Sequence, residues 1–492
     1  MSYKHGAYGQ YADSISNVGI KSQTIPVYIG TAPVNLVRGY KDYVNAPVKL
    51  SSYGDVKRYM GDCPDSAEWS KFSLCEAFWL HFNNENGNAA PIVVINVLNP
   101  DVHRKESQTT VSLTFTNGRA TIKSNTIILD TLVLGNKVEG TDFSIDYDFT
   151  KGQVIINSIG TAISGSVSAT YYEVSTTVND LEVIGGVTNA GVYTGLGCVE
   201  LVYPELGVIP NFLVAPRFSE SKDVYKAMVK AAKKINGHWD AVVLADIPVD
   251  SPAHSTGSIE EAITWKNLND YNDEISKVFY PHSLSSDGTK LLHKSALWAW
   301  KSMQVDASHN GVPMETASNK SIPVSCNYFG TNSTNRGFDQ TRANDLNKEG
   351  ITTAIYWGGQ WVLWGPHTAA YSYGNVSDNK IIFDTSIRMM MHVSNSFQAE
   401  HGLTIDSPMT RAKADTIKNR EQEKADALAA MGAFIGEPVV RFDAESNDLS
   451  EMVEGNFVWD FKGTPTPPWK SGTLTVAYTD AGFSTFIEGG AE

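Results

Sequence analysis

Cysteine is scarce in this sequence and never occurs in the patterns that support metal binding or disulfide chemistry. The 492 residues include four cysteines and no C-x-x-C pair. Such spacing argues against a zinc site or a disulfide framework and fits a reducing cytosol. We therefore expect small buried hydrophobic side chains at the four positions Cys63, Cys75, Cys198 and Cys326.

Long apolar runs and an excess of positive charge are lacking as well. The longest stretch without a charged residue, 351–377, contains Gly, Gln, Pro, His and Ser, whereas a membrane span needs about 20 predominantly apolar residues. Residues 1–14 contain no apolar signal core. The formal net charge is −15, from 39 basic and 54 acidic residues, which disfavours nucleic acid and anionic membranes. We expect no nucleic acid partner and no direct membrane insertion.

Motifs for nucleotide and calcium binding are missing. A dinucleotide fingerprint or a P-loop needs a glycine-rich turn of defined spacing, which the pairs Gly185-Gly186 and Gly358-Gly359 lack. Residues 146–152 resemble a calcium loop, but the glycine comes one place late, so an ordinary hairpin corner is the simpler interpretation. We predict no cofactor and no metal site.

A hydrolase would need a nucleophile, a base and an orienting acid. Asp250, His254 and Ser255 lie close together in the sequence, but the members of a triad normally come from distant positions. No G-x-S-x-G nucleophile motif occurs elsewhere. We predict no catalytic residues, which points to a binding or structural role.

The sequence does contain ample material for a globular protein. Apolar residues make up 42% and charged residues 19%, and the length suggests roughly three domains at about 150 residues each. Residues 25–29 and 91–98 read as strands. Between them, Asp65 and Glu68 predict a helix with a capping box.

The period changes between residues 105 and 175. Val111, Leu113 and Phe115 alternate with polar residues, and Asn117-Gly118 is a strong hairpin signal. Short strands with frequent turns predict a small β-sandwich inserted into the α/β region.

The α/β pattern then resumes. A strand at 212–214, a helix at 224–235 and a strand at 241–245 predict a βαβ unit and hence a parallel sheet. A short strand and a helix follow at 278–280 and 295–305. Further on, apolar periodicity predicts helices at 384–399 and 412–434, and a proline-rich segment and a final strand are expected at 463–470 and 474–478.

Two features admit more than one interpretation. Residues 1–22 are polar and rich in Tyr, Gly and Ser, which fits a frayed terminus or an arm that orders on a neighbour. Two helices carry basic stripes, which are solvated faces or electrostatic seams to an acidic partner. Those stripes are Lys222, Lys226, Lys230, Lys233 and Lys234 on one helix, and Arg411, Lys413, Lys418, Arg420 and Lys424 on the other.

Segments along nearly the whole chain resemble the contractile tail sheath family of phage-type tails. In order, they are residues 24–33 (TIPVYIGTAP), 46–62, 180–197, 312–324, 364–368 (WGPHT), 384–391 (DTSIRMMM) and 430–436. Their order and spacing carry the resemblance. One departure is His367, where many family members have Arg.

The resemblance implies an α/β fold with a subtilisin-like core that lacks a catalytic triad. On this basis residues 23–104 and 176–356 would form the core, 105–175 the inserted β-sandwich, and 357–470 an α+β C-terminal sheath domain. Residues 1–22 and 471–492 would be extended arms exchanged between subunits. The arm contacts would be Tyr8, Tyr11, Ile15, Val18 and Ile20 at the N-terminus, and Leu474, Val476 and Tyr478 at the C-terminus.

The resemblance also implies partners. Subunits would stack as hexameric rings in a helical polymer around an inner tail tube protein, and would meet baseplate and tail terminator proteins. The chain would be made in a host bacterial cytoplasm and belong to a virion tail or tail-like particle. We predict that the tube is contacted by Lys413, Lys418, Arg420 and Lys424. The alternatives are a surface glycan- or receptor-binding protein, suggested by the inserted β-sandwich, and a subtilisin-like hydrolase.

Overall fold

A computed structural model describes residues 23–251, 254–255, 257–331, 337–375, 382–483 and 486. The predicted N-terminal arm lies outside the described residues, and so do its five contacts Tyr8, Tyr11, Ile15, Val18 and Ile20.

The first part of the chain forms one side of a large sheet. Its elements are β1 (Pro26–Gly30), β2 (Pro47–Leu50), α1 (Tyr53–Asp55), α2 (Leu74–Phe82) and β3 (Ile92–Asn96). β3 is parallel to β1, and β2 is antiparallel to β3.

The helix predicted from Asp65 begins only at Leu74, so that prediction is wrong. Asp65 caps a short 3-10 turn, where it accepts a hydrogen bond from the Ala67 N–H at 3.0 Å. The Leu74 N–H bonds to the Thr31 carbonyl, and the Ser73 N–H bonds to the Thr31 hydroxyl, both at 3.0 Å. These long-range bonds fix the start of α2, because tertiary contacts override a local propensity.

Two three-stranded antiparallel sheets follow, with the orders β4-β9-β6 and β5-β8-β7. Their strands are β4 (Thr109–Phe115), β5 (Arg119–Lys123), β6 (Val133–Leu134), β7 (Phe143–Asp148), β8 (Gln153–Ser158) and β9 (Gly165–Tyr171). Leu113, Ile122 and Val154 face a core of their own between the strands. Asn117 and Gly118 have φ values of 52° and 72°, as the two-residue hairpin turn between β4 and β5 requires.

The chain then returns to alternating strands and helices. The elements are α3 (Asp180–Ile184), β10 (Gly186–Val187), β11 (Tyr193–Thr194), α4 (Val202–Leu206), β12 (Phe212–Val214), α5 (Lys222–Ala231), β13 (Val242–Asp246), β14 (Asp250–Ser251), β15 (His254–Ser255), α6 (Ile259–Leu268), β16 (Ser276–Phe279), β17 (His282–Ser285), β18 (Leu291–Leu292) and α7 (Lys294–Ser308).

The central sheet is completed by strands that the sequence patterns did not reveal. After β19 (Val324–Tyr328) and α8 (Gln340–Asn347), β20 (Ile351–Trp357) and β21 (Gln360–Trp364) form a hairpin. The sheet has eight strands in the order β2-β3-β1-β12-β13-β16-β20-β21, of which the two edge strands are antiparallel. A parallel centre needs helices on both faces. Accordingly, α2 and α7 pack on one face, around Leu244, and α5 and α6 pack on the other, around Val243.

A smaller unit of two long helices and a two-stranded sheet ends the described chain. It contains α9 (Asp384–His401), α10 (Arg411–Ala430), β22 (Phe434–Arg441), α11 (Leu449–Val453) and β23 (Asp460–Pro465). β22 and β23 are antiparallel to each other. The overall architecture is therefore mixed α/β, as the sequence predicted.

The predicted end of α10 at Phe434 is wrong, because Phe434 opens β22. Gly432 has φ 85°; its N–H bonds to the Ala429 carbonyl, and the Ala433 N–H bonds to the Leu428 carbonyl. This pair of bonds is a Schellman motif, which stops a helix at a glycine in the left-handed conformation. The glycine turns the chain directly from α10 into β22.

Candidate assembly surfaces

The C-terminal segment leaves the body of the protein after β23. Thr466 anchors it, because its N–H and hydroxyl bond to the Ala433 and Gly432 carbonyls at 3.0 Å and 2.6 Å. Residues 466–480 then have no secondary structure. The side chains of Leu474, Val476 and Tyr478 are 86%, 83% and 85% exposed. These three apolar residues alternate with polar ones, which is the pattern of a strand that buries one face. In this chain the segment is exposed and pairs with no strand among the described residues.

The two-stranded sheet of β22 and β23 lies beside this segment. Phe434 packs on Phe461 and, with Leu428 and Met389, forms a small core under α9 and α10. The outer edge of β22 is partly occupied, because the Gln422 side chain bonds to the Pro438 carbonyl and the Val440 N–H, each at 2.8 Å. The outer edge of β23 pairs with no strand among the described residues. An unpaired edge of this kind is a template for another strand.

The basic side chains of α10 are largely engaged within the molecule. Arg420 and Lys424 both contact Glu400 on α9, and Lys424 also pairs with Glu421 at 2.7 Å. Lys413 reaches the hydroxyl of Ser407. Lys418 is half-buried. These contacts tie α10 to α9, and the contact of the basic side chains with a tube stays a prediction.

The other basic stripe is also paired in part. Lys222 and Lys226 share Asp270, at 3.1 Å and 3.2 Å, and Lys233 contacts Asp273 at 3.0 Å. Lys233 and Lys234 lie beyond the end of α5, so they are not on one helix with the other three.

A buried polar joint links α9, α7 and the central sheet. Arg388 of α9 pairs with Asp306 of α7, where both side chains are almost fully buried. The Thr24 hydroxyl donates to the same carboxylate at 2.5 Å. Lys277 of β16 donates to the carbonyls of Gly365 and His367, both at 2.8 Å; burial lowers the pKa of Lys277 to about 8. The joint links residues from five separate parts of the chain, and no local sequence motif marks it.

His367, the departure from the family pattern, lies at the edge of this joint. Its ring stacks on Tyr371 with centroids 3.6 Å apart, and burial lowers the pKa of His367 to about 3. Its Nε2 lies 3.3 Å from the Lys470 Nζ. Beside it is a cavity of about 370 Å³ whose lining includes Tyr371, Trp469 and Lys470. A neutral histidine here fixes the base of the C-terminal segment to the body.

The remaining sequence candidates are placed as follows. Asp250–Ser251 and His254–Ser255 pair as short strands, and the structure describes only their backbone. Cys63, Cys75 and Cys198 are buried, and Cys326 is half-buried. Among the described residues, no helix has both the length and the apolar character needed to cross a membrane.

Solved structures with a similar fold come from contractile injection systems. The chain superposes on a chain of the anti-feeding prophage baseplate with a TM-score of 0.54, at 13% identity, covering 97% of this chain and 100% of the other. It superposes on a chain of the contracted sheath complex of an extracellular contractile injection system with a TM-score of 0.53, at 11% identity, covering 98% and 99%. The fold is therefore one found in contractile injection systems.

Sequence comparison finds relatives that are named as tail sheath proteins. The tail sheath protein of Burkholderia phage BcepMu is 24% identical over 91% of each chain. A putative prophage major tail sheath protein of Pseudomonas aeruginosa is 27% identical over 61% of this chain and 72% of its own length. No protein-family model matches. The chain is thus similar in sequence to proteins named as tail sheath proteins, in line with the resemblance found in the sequence.

Proposed function

We propose that this chain polymerises as stacked hexameric rings around an inner tail tube and contracts to drive the tube through a target envelope. The observation that carries the proposal is the exposed C-terminal segment beside a two-stranded sheet with an open edge. In a single chain, this arrangement leaves three large apolar side chains in water. A neighbouring subunit supplies the surface that covers them.

The proposed link is strand addition between subunits. Residues 474–478 of one subunit add to the open edge of β23 in another, and Leu474, Val476 and Tyr478 then share one face. That face extends the apolar side of the sheet, on which Phe434 and Phe461 form part of a small core with the long helices. Each main-chain hydrogen bond contributes about 1 kcal/mol net, and each buried apolar side chain adds about 1.5–3 kcal/mol. One such link is weak, but several links per subunit make a stable lattice.

The finer architecture belongs to the same proposal. Residues 23–104 and 176–356 act as a subtilisin-like core without a triad, 105–175 as an outward-facing β-domain, and 357–470 as the sheath domain that receives the arms. The hairpin of β20 and β21 crosses the predicted boundary, because it continues the central sheet to Trp364. Residues 1–22 form the second exchanged arm. The rings meet the tube, the baseplate and a tail terminator protein, in a virion tail or tail-like particle made in a host bacterial cytoplasm.

A pair of substitutions tests the strand link. Val476→Lys places a charge on the face that a neighbour would bury, and Thr475→Lys makes the same change of charge on the opposite face. We expect Val476→Lys to abolish rings and tubes in negative-stain micrographs and to leave monomers in sedimentation velocity. The Thr475→Lys chain should assemble like the unmodified protein. Equal assembly of the two variants would rule out the strand link.

A further inference from the structure

A buried cluster of Glu220, His282 and His293 lies at the carboxyl edge of the central sheet. Glu220 ends a 3-10 turn that follows β12, His282 opens β17 just after β16, and His293 directly precedes α7. Carboxyl ends of parallel strands meet at the same edge, where open α/β sheets place their ligands. His282 lies 62 positions after Glu220 in the sequence, and His293 lies 73 positions after it. The fold thereby brings distant residues together.

The three side chains converge on one point. The Glu220 Oε1 lies 2.9 Å from the His282 Nε2 and 3.5 Å from the His293 Nε2. All three potential ligand atoms lie within 4.8 Å of one another. A tetrahedral Zn²⁺ with bonds of about 2.0–2.2 Å separates neighbouring ligand atoms by roughly 3.3 Å. The two observed separations lie on either side of that value.

Two of these atoms have no hydrogen-bond partner. The Glu220 Oε1 and the His282 Nε2 are both buried without a hydrogen bond, although they lie at ion-pair distance from each other. The His282 side chain is only 6% exposed. Buried polar atoms are nearly always satisfied in native proteins, and exceptions call for an explanation such as a bound ion.

The second histidine of the cluster, His293, is already oriented for a metal. The His293 Nδ1 lies 2.7 Å from the Glu76 Oε2, and the His293 backbone N–H bonds to the other oxygen of the same carboxylate. Glu76 thereby fixes the ring and leaves Nε2 facing Glu220. Histidines that bind metal ions almost always donate their other ring nitrogen to such a carboxylate.

The one nearby lysine that the structure describes in contact with these residues, Lys294, donates to the His282 carbonyl at 2.9 Å and does not pair with the Glu220 carboxylate. Among the described residues, the ion-pair partners of Glu220 are His282 and His293, with no Lys or Arg. A second group, Glu400, His401 and Glu421, offers a contrast. There, Arg420 and Lys424 contact the carboxylates and supply the positive charge.

We propose that Glu220, His282 and His293 bind one Zn²⁺ ion, with Glu76 orienting His293 and water completing a tetrahedral site. Imidazole and carboxylate ligands suit Zn²⁺. The ion joins the turn after β12, the start of β17 and the start of α7, and so cross-links three parts of the chain that are distant in sequence. The site is independent of the assembly surfaces.

The test measures zinc in the full-length protein. The chain is treated with a chelator, returned to Zn²⁺, passed through gel filtration and analysed for metal by mass spectrometry. We expect one Zn²⁺ per chain, a higher Tm than in the chelated protein, and, with Co²⁺ in place of Zn²⁺, the visible absorption of a tetrahedral site. A proton-bridged network without metal is the alternative, and a chain that retains no Zn²⁺ would establish it and overturn the proposal.

Three variants locate the ion. His282→Gln should lose the bound Zn²⁺, and Glu76→Gln should weaken the affinity roughly 10- to 100-fold while keeping the ligands in place. His401→Gln, in the contrasting group, should keep one Zn²⁺ per chain. Glu76→Gln also serves if His282→Gln does not fold. Unchanged affinity in Glu76→Gln together with unchanged zinc content in His282→Gln would place the metal elsewhere and reject this site.

Discussion

At the scale of single residues, the largest electrostatic effects come from side chains that the fold removes from water. His81 is fully buried on α2. Its Nδ1 lies 2.6 Å from the Ala89 carbonyl and so carries the proton, and its Nε2 accepts from the Tyr28 hydroxyl at 2.8 Å. The neutral ring is thus satisfied on both sides. Burial lowers the pKa of His81 to about 4, although the bond to Ala89 opposes the shift.

This shift predicts a loss of stability in acid. The unfolded chain takes up a proton on His81 near pH 6.5, whereas the folded chain does so only near its lowered pKa of about 4. The free energy of unfolding therefore falls as the pH drops through that window, by up to about 3 kcal/mol. Urea unfolding followed by circular dichroism between pH 7 and pH 4 measures the slope. His81→Gln should make the slope shallower without removing it, because the lowered pKa of His367 acts in the same direction; an unchanged slope in that variant would contradict the assignment.

The Arg388–Asp306 pair leads to a second prediction. Both charges are buried, and removing one leaves the other uncompensated, at a cost of about 3–5 kcal/mol. Arg388→Met should therefore lower the Tm strongly, whereas the double variant Arg388→Met, Asp306→Leu should recover most of the loss.

The matched control for that pair is on the surface. Arg411 and Asp415 form an exposed pair on α10, at 3.1 Å, and such pairs contribute about 0–1 kcal/mol. Arg411→Met should change the Tm little. A similar fall in Tm in Arg388→Met and Arg411→Met would show that burial does not make the Arg388–Asp306 pair more important for stability than the exposed pair.

At the scale of elements, α10 illustrates how neighbouring charges limit the role of a helix. Arg420 and Lys424 are held by Glu400, so reversing either charge disturbs the packing of α9 against α10 as well as any outer contact. Lys418 is the better probe of a tube contact. It lies on the same helix but forms no ion pair with Glu400 among the described contacts, so a change there separates an effect on tube binding from an effect on the packing of α9 against α10.

We predict that Lys418→Glu weakens binding of the inner tube protein in low salt while leaving the Tm unchanged. The attraction is electrostatic and is screened over about 10 Å at 0.1 M salt, so the difference from the unmodified chain should shrink as salt is added. Co-sedimentation with tubes measures the binding, and Lys230→Glu on α5 is the control with the same change of charge. Binding that is equally weak in both variants would speak against α10 as the tube contact.

At the scale of the whole molecule, the two sheets of β4–β9 behave as an attachment to the central body. They have their own core, and the chain enters and leaves through adjacent residues, because the Lys105 N–H bonds to the Glu173 carbonyl at 2.8 Å. Asn35 of the body donates to the Ile127 carbonyl at 2.9 Å. The attachment is thus docked on the body at one place.

Replacing residues 106–172 by a short Gly-Ser linker should therefore leave a chain that still forms rings and tubes. A lower Tm is expected, because Leu36 loses its cover and Asn35 its partners. Electron microscopy of the shortened chain tests assembly, and circular dichroism reports folding. A folded chain that does not assemble would show that the region contributes to the lattice.

Local patterns account for much of the fold. The apolar run at 91–98 predicted a strand buried on both faces, and β3 (Ile92–Asn96) is a strand with every residue buried. Asn117-Gly118 marked a hairpin, because few residue pairs adopt two consecutive positive φ angles. The periodicity from Asp384 likewise predicted α9.

By itself, the sequence determined element types wherever the period of apolar residues decided the outcome, and through its resemblance it also indicated the family. Only the tertiary structure decided the start of α2, the Arg388–Asp306 joint and the convergence of Glu220, His282 and His293. Each of these depends on residues far apart in the chain, for example 82 positions between Arg388 and Asp306. Periodicity reports on neighbours within a turn or two and carries no information on which distant side chains a sheet brings together.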